Sequence, residues 1–141
     1  MFVRADHVAI SVQDMEKAIA FYRDVIGMEK VFDREFGEPM ARLIGEPGAQ
    51  VRIVHMKLGD SAVELFDYRS PEGRTPCPDA RQSDYGLTHI GFIVEDFWGL
   101  YQHLRDHDVE FLGEPVEIRP GVFVAYFRGA EYEVCEIREI R

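Results

Sequence analysis

At 141 residues, with 46% hydrophobic and 12% aromatic side chains, the chain can build one packed domain or two small modules sharing a core, which argues against disorder. A formal net charge of −10 speaks against nucleic acid as a partner, because phosphate binding needs clustered Lys and Arg. The opening MFVRADHVAI lacks the apolar centre of a signal peptide and no apolar run approaches membrane-spanning length, so a cytoplasmic protein without a membrane partner is expected.

From His7 to Val12 the residues alternate, with Val8, Ile10 and Val12 on one face and His7, Ala9 and Ser11 on the other, which predicts a strand. Asp14 offers a helix cap. Met15, Ala18, Ile19, Tyr22, Val25 and Ile26 follow at helical spacing, and Gly27 supplies a stop. MEKVFDREF predicts a second strand, and EPMARLIGEPGAQ a loop with room for a short helical turn. VRIVHMKLG and SAVELFDY predict strands joined at Gly59-Asp60. RSPEGRTPCPDARQSDYG, rich in Pro and nearly free of aliphatic residues, is the expected linker. Beyond it LTHIGFIV predicts a strand, and Asp96 caps a helix carrying Phe97, Leu100, Tyr101 and Leu104. VEFLGEP, GVFVAYF and YEVCEIREI predict three closing strands.

Both halves therefore follow the order βαβββ. HVAISVQD and HIGFIVED repeat one phrase, with His7 matching His89, Val12 matching Val94 and Asp14 matching Asp96 at a constant offset. The expected organisation is α+β, with two tandem βαβββ modules in one compact unit: residues 1–67, a linker over 68–86, and residues 87–141.

The repeat carries a second pair. VEL and CEI each set a Glu between apolar neighbours in a late strand, so Glu64 and Glu136 point away from the core side. If the two sheets curl together about a pseudo-twofold axis, His7, Glu64, His89 and Glu136 converge. Two imidazoles and two carboxylates suit a divalent metal such as Ni, Zn, Co, Mn or Fe. Parity would add Arg52, Phe66 and Tyr68 as residues facing a substrate. Other candidates carry less. His103 and His107 read as an exposed pair near a helix end, and His55 as a core or edge histidine. Cys77 and Cys135 lack ligand spacing and read as free thiols in a reducing compartment, with Cys135 on the core side.

The phrases DHVAISVQDMEKAIAFYRDVIGMEKV, SAVELFDY, GLTHIGFIVEDFWGLYQHLRDHDVEFL and YFRGAEYEVCEIRE resemble the vicinal oxygen chelate superfamily of glyoxalase I, methylmalonyl-CoA epimerase, extradiol dioxygenases and bleomycin-resistance proteins. The resemblance implies paired modules forming a U-shaped mixed sheet around a metal held by His7, Glu64, His89 and Glu136, with Glu136 preferred as catalytic base and Glu64 as the second catalytic carboxylate. It also implies a homodimer. Ser11 and Tyr68 stand where glutathione-using relatives place an Arg and an Asn, and GAEYE replaces the usual closing turn. The expected activity is that of a glyoxalase-like lyase or isomerase, in which a divalent metal stabilises an enediolate or enolate during proton transfer on a small oxygen-bearing substrate. Two alternatives remain open. One is a non-haem Fe(II) dioxygenase using His7, His89 and Glu136; the other is a metal-free small-molecule binding protein.

Overall fold

The alternation from His7 to Val12 becomes strand β1 (His7–Ser11), with Val8 and Ile10 turned inward and His7, Ala9 and Ser11 left exposed. The computed structural model describes residues 1–76 and 78–140, so Cys77 lies outside the described residues. Asp14 then caps helix α1 (Met15–Ala20), its carboxylate accepting from the Lys17 backbone N–H at 3.0 Å. Met15, Ala18, Ile19 and Tyr22 form the buried stripe. The predicted helix does not stay regular. From Phe21 to Val25 it widens into a π turn, closed by the Ile26 N–H on the Phe21 carbonyl, before Gly27 stops it at φ +86°.

Strand β2 (Glu29–Phe36) follows, then a one-turn helix α2 (Met40–Ile44) inside the predicted loop, then β3 (Gln50–Leu58) and β4 (Ser61–Ser70). The two-residue turn at Gly59-Asp60 sets Leu58 against Ser61 and fixes the register of the whole hairpin. The sheet order is β1-β4-β3-β2, with β1 parallel to β4 and the rest antiparallel. One face, bearing Val54, Met56, Val63 and Leu65, is buried. Burying each such side chain contributes about 1.5–3 kcal/mol.

The second half repeats this plan. Strand β5 (Ile90–Ile93) leads to helix α3 (Phe97–Asp106), then β6 (Val116–Arg119), β7 (Val122–Arg128) and β8 (Val134–Ile140). Their order is β5-β8-β7-β6, again with the first strand parallel to the last. Asp96 caps α3 through the Gly99 N–H, and Glu139 of β8 accepts from the Phe97 N–H at 3.0 Å, so the helix start is tied to its sheet. Phe97 is fully buried among Trp98, Tyr101 and Phe123. The expected strand VEFLGEP is corrected. Only Phe111 forms a bridge, to Phe127, and its ring packs on Tyr101 at 4.5 Å. The strand proper starts at Val116, past Gly113 and Pro115, two residues poorly suited to a ladder.

The α+β architecture of two repeated βαβββ modules thus stands. The chain divides into two compact units, Met1–Thr75 and Pro76–Arg141. Among the described residues no helix is long and apolar enough to cross a membrane.

Candidate functional site

In the first unit β4 lies between β1 and β3, so Glu64 has Ala9 beside it on one side and His55 on the other. His7, two residues before Ala9, shares that face. Its Nε2 stands 3.4 Å from Glu64 Oε2, and His55 Nε2 stands 3.1 Å from Glu64 Oε1. Both carboxylate oxygens are thus engaged by imidazoles, and the Glu64 side chain is only 14% exposed. The far nitrogen of His7, Nδ1, lies 3.1 Å from Asp6 Oδ2. That contact, together with the Arg4 guanidinium, holds the Asp6 carboxyl below its usual range and keeps it an acceptor, which turns Nε2 toward the site. The His55 ring stacks on Phe32 at 4.5 Å. Phe66 and Tyr68 continue the Glu64 face and stack on each other at 6.1 Å, as their parity predicted. Burial, then the Glu46 charge, pushes the Tyr68 hydroxyl above its ordinary pKa.

The second unit builds the same motif with one exchange. Glu136 on β8 lies between Gly91 of β5 and Tyr126 of β7. His89 Nε2 is 3.0 Å from Glu136 Oε2, and its Nδ1 meets the Thr88 hydroxyl at 2.9 Å. Tyr126 takes the place His55 has in the first unit. Its hydroxyl donates to Glu136 Oε2 at 3.2 Å, and its ring stands edge-on to His89 at 5.0 Å. Burial first, then the charge and hydrogen bond of Glu136, push the Tyr126 pKa upward. Oε2 therefore carries both contacts, while Oε1 makes no hydrogen bond among the described residues.

Arg52 is a correction. It lies opposite Asp67, on the other face of β3 from His55 and Glu64, because 52 and 55 are three steps apart along the strand, an odd number. Its guanidinium forks onto Asp33 at 2.9 and 2.8 Å and reaches Glu16 of α1 at 2.6 Å. It joins helix to sheet.

Sequence reasoning missed His55 and Tyr126. The Gly59-Asp60 hairpin already implied that His55 faces Glu64, since equal steps back from a two-residue turn meet. Of the other candidates, His103 and His107 pack their rings at 4.3 Å at the end of α3, and Cys135 is a buried thiol outside any disulfide, on the side of β8 away from Glu136. Chemically, each unit presents an imidazole nitrogen and a carboxylate oxygen on one sheet face, with the second imidazole nitrogen held from behind. That donor chemistry fits a divalent cation of borderline character. Among the described residues no group of three or more His, Cys, Asp or Glu is assembled into a metal-binding cluster; each unit supplies a His–Glu contact, to which the first adds His55.

Two repeated modules, each with a His at or just before the start of its first strand and a Glu on its last, have a glyoxalase-type fold, and residues 4–129 match the Glyoxalase/Bleomycin resistance protein/Dioxygenase superfamily. The chain belongs to that superfamily. Among its relatives, the 2-epi-5-epi-valiolone epimerase of an Actinomyces species is 34% identical over 125 residues, covering 84% of this chain and 67% of the relative. An ethylmalonyl-CoA/methylmalonyl-CoA epimerase of Cereibacter sphaeroides is 28% identical over 138 residues, covering 96% and 95%. A solved glyoxalase family protein from Bacillus cereus superposes with a TM-score of 0.89 at 26% identity, covering 99% of this chain and 95% of that one. The epimerase relatives support an enzyme of the isomerase type.

Proposed function

We propose that this protein is a metal-dependent isomerase of the epimerase kind, which moves a proton at a carbon next to a carbonyl of a small substrate. The observation that carries the reading is the doubled contact of His7 with Glu64 and His89 with Glu136, each imidazole anchored from behind. His7 and Glu64 in the first unit, and His89 and Glu136 in the second, are the residues that would contact a divalent metal, which when bound would supply a Lewis acid for the charge that develops on the substrate oxygen.

The two carboxylates divide the work. Glu64 has both oxygens held by imidazoles and serves as a fixed ligand. Glu136 has Oε2 held by His89 and Tyr126, and its other oxygen is left to take a proton from carbon. Tyr126 donates to the carboxylate and holds it in one orientation while the proton moves. Epimerisation also returns a proton to the opposite side of the planar carbon, which requires an acid other than Glu136. General acid–base help of this kind is worth about 10²–10⁴-fold.

The test is exchange of the acidic carbon-bound proton with deuterium from D2O, followed by NMR. Substrates would be acyl-CoA epimers and 2-oxoaldehyde–thiol adducts, with protein loaded in turn with Ni, Zn, Co, Mn and Fe. Exchange with any one metal, lost on chelation and in Glu136→Gln, is expected. No exchange with any pair, or oxygen uptake with catechols in its place, would overturn the reading.

A further inference from the structure

Arg138 stands two residues beyond Glu136 on β8 and so shares its face. Across the ladder its neighbours are Ile93 of β5 and Val124 of β7, neither of which offers a countercharge. Its Nε is buried without a partner, and among the described residues its guanidinium makes no hydrogen bond or ion pair. Arg4, Arg23, Arg52 and Arg69, by contrast, each meet a carboxylate. A guanidinium N–H taken from water and left without an acceptor is costly, and folded chains keep few of them. The Arg138 side chain is half-buried on the Glu136 face. The sheet edge beside it is open. Gly91 and Ile93 of β5, on the Glu136 face, are both exposed.

We propose that Arg138 is the anion anchor of this site, binding a carboxylate or phosphate of the substrate so that the reacting carbon is held beside Glu136. Guanidinium is suited to the task because its fork matches either anion with two parallel N–H donors. The chain's net charge of −10 repels an anionic substrate, so a cation free of internal partners is what lets one settle. The assignment rests on the isomerase reading for where the reacting carbon lies, but anion binding itself does not depend on turnover.

The experiment is isothermal titration of the full chain, as purified, with sodium malonate, with inorganic phosphate and with uncharged malonamide. Wild type is expected to bind an anion and not the amide. Arg138→Gln is expected to weaken that binding by roughly tenfold or more. Arg138→Met, which keeps the apolar stem, gives the same answer should Gln disturb the fold. Tighter malonate binding identifies a carboxylate substrate, and tighter phosphate binding a phosphate ester. Equal affinity in wild type and both variants, or no anion binding by wild type, overturns the assignment. Failure of the deuterium exchange leaves this result standing, so the two proposals fail separately.

Discussion

His55 and Glu64 face each other directly across the β3–β4 ladder, with Nε2 3.1 Å from Oε1. The contact fixes the carboxylate's second oxygen, and the Phe32 ring fixes the imidazole in turn. Outer contacts of this sort ordinarily change metal affinity by about 10–100-fold when removed. His55→Ala is therefore expected to weaken divalent metal binding by about that factor in a calorimetric titration, with His55→Gln recovering part of it. Since His55 is one-third exposed, the metal-free protein should melt close to wild type. Unchanged affinity would mean that Glu64 is positioned by its backbone alone.

How much of this was visible beforehand differs residue by residue. The His7 and His89 strands, both caps and the two late glutamates follow from periodicity and repetition, which depend on local sequence. The stacking of Phe32 on His55 does not. Strand β2 has a register shift between Lys30 and Phe32, and the extra residue, Val31, moves Phe32 onto the site face. A bulge of this kind leaves no mark in the alternation pattern and re-aims every side chain after it. Arg52 was misplaced for a simpler reason: its face follows from its odd separation from His55, and its partners on β2 and α1 are distant in sequence. Arg138 was passed over because a lone strand Arg next to a Glu looks like an exposed ion pair until the absence of a partner is seen.

The Asp33–Arg52 fork controls stability in acid. Arg52, aided by Lys30, holds the Asp33 carboxyl far below its ordinary value of 3.8. Between the folded and ordinary values the unfolded chain binds the proton and the folded chain does not, so stability rises with pH there. It is complete above about pH 4–5 and is lost as the pH falls toward the folded value. Asp33→Asn should cost about 1–3 kcal/mol at neutral pH, a range set by partial exposure of the pair. It should also flatten the acid limb of a plot of Tm against pH. Deuterium exchange by this variant should stay near wild type, because the fork lies on the face away from Glu64.

Tyr126 offers a cleaner probe of Glu136 than any change to the carboxylate. Tyr126→Phe keeps the ring that stands edge-on to His89 and removes only the O–H that donates to Oε2. A hydrogen bond to a charged group is worth about 1.5–3 kcal/mol, so turnover should fall roughly tenfold or more. Metal content per chain should not change, since His89 and Glu136 both remain. A loss of metal in parallel with activity would make Tyr126 part of the structural support for the ligands and not a group acting during proton transfer.

Gly91 lies directly beside Glu136, in the middle of β5. A glycine inside a strand weakens it, and one reason to find it there is the close approach of a ligand. The backbone does not require it: no left-handed φ is present at this position, and a Cβ built there meets only Glu136 Oε2, at 3.9 Å. Ala at this position should therefore fold without strain and melt at or slightly above wild type, by about 0.4–1 kcal/mol, through a stiffer unfolded chain. Exchange activity should change little. Leu would place its branched end over the open face next to the carboxylate. Gly91→Leu is expected to keep the fold and bind metal, yet lose exchange by about 100-fold or more, as blocked access to a positioned group commonly does. Circular dichroism, metal analysis and the exchange assay on the two variants separate the cases. If Leu is as active as Ala, the substrate does not approach Glu136 from the β5 side, and the free oxygen of that carboxylate must work from another direction.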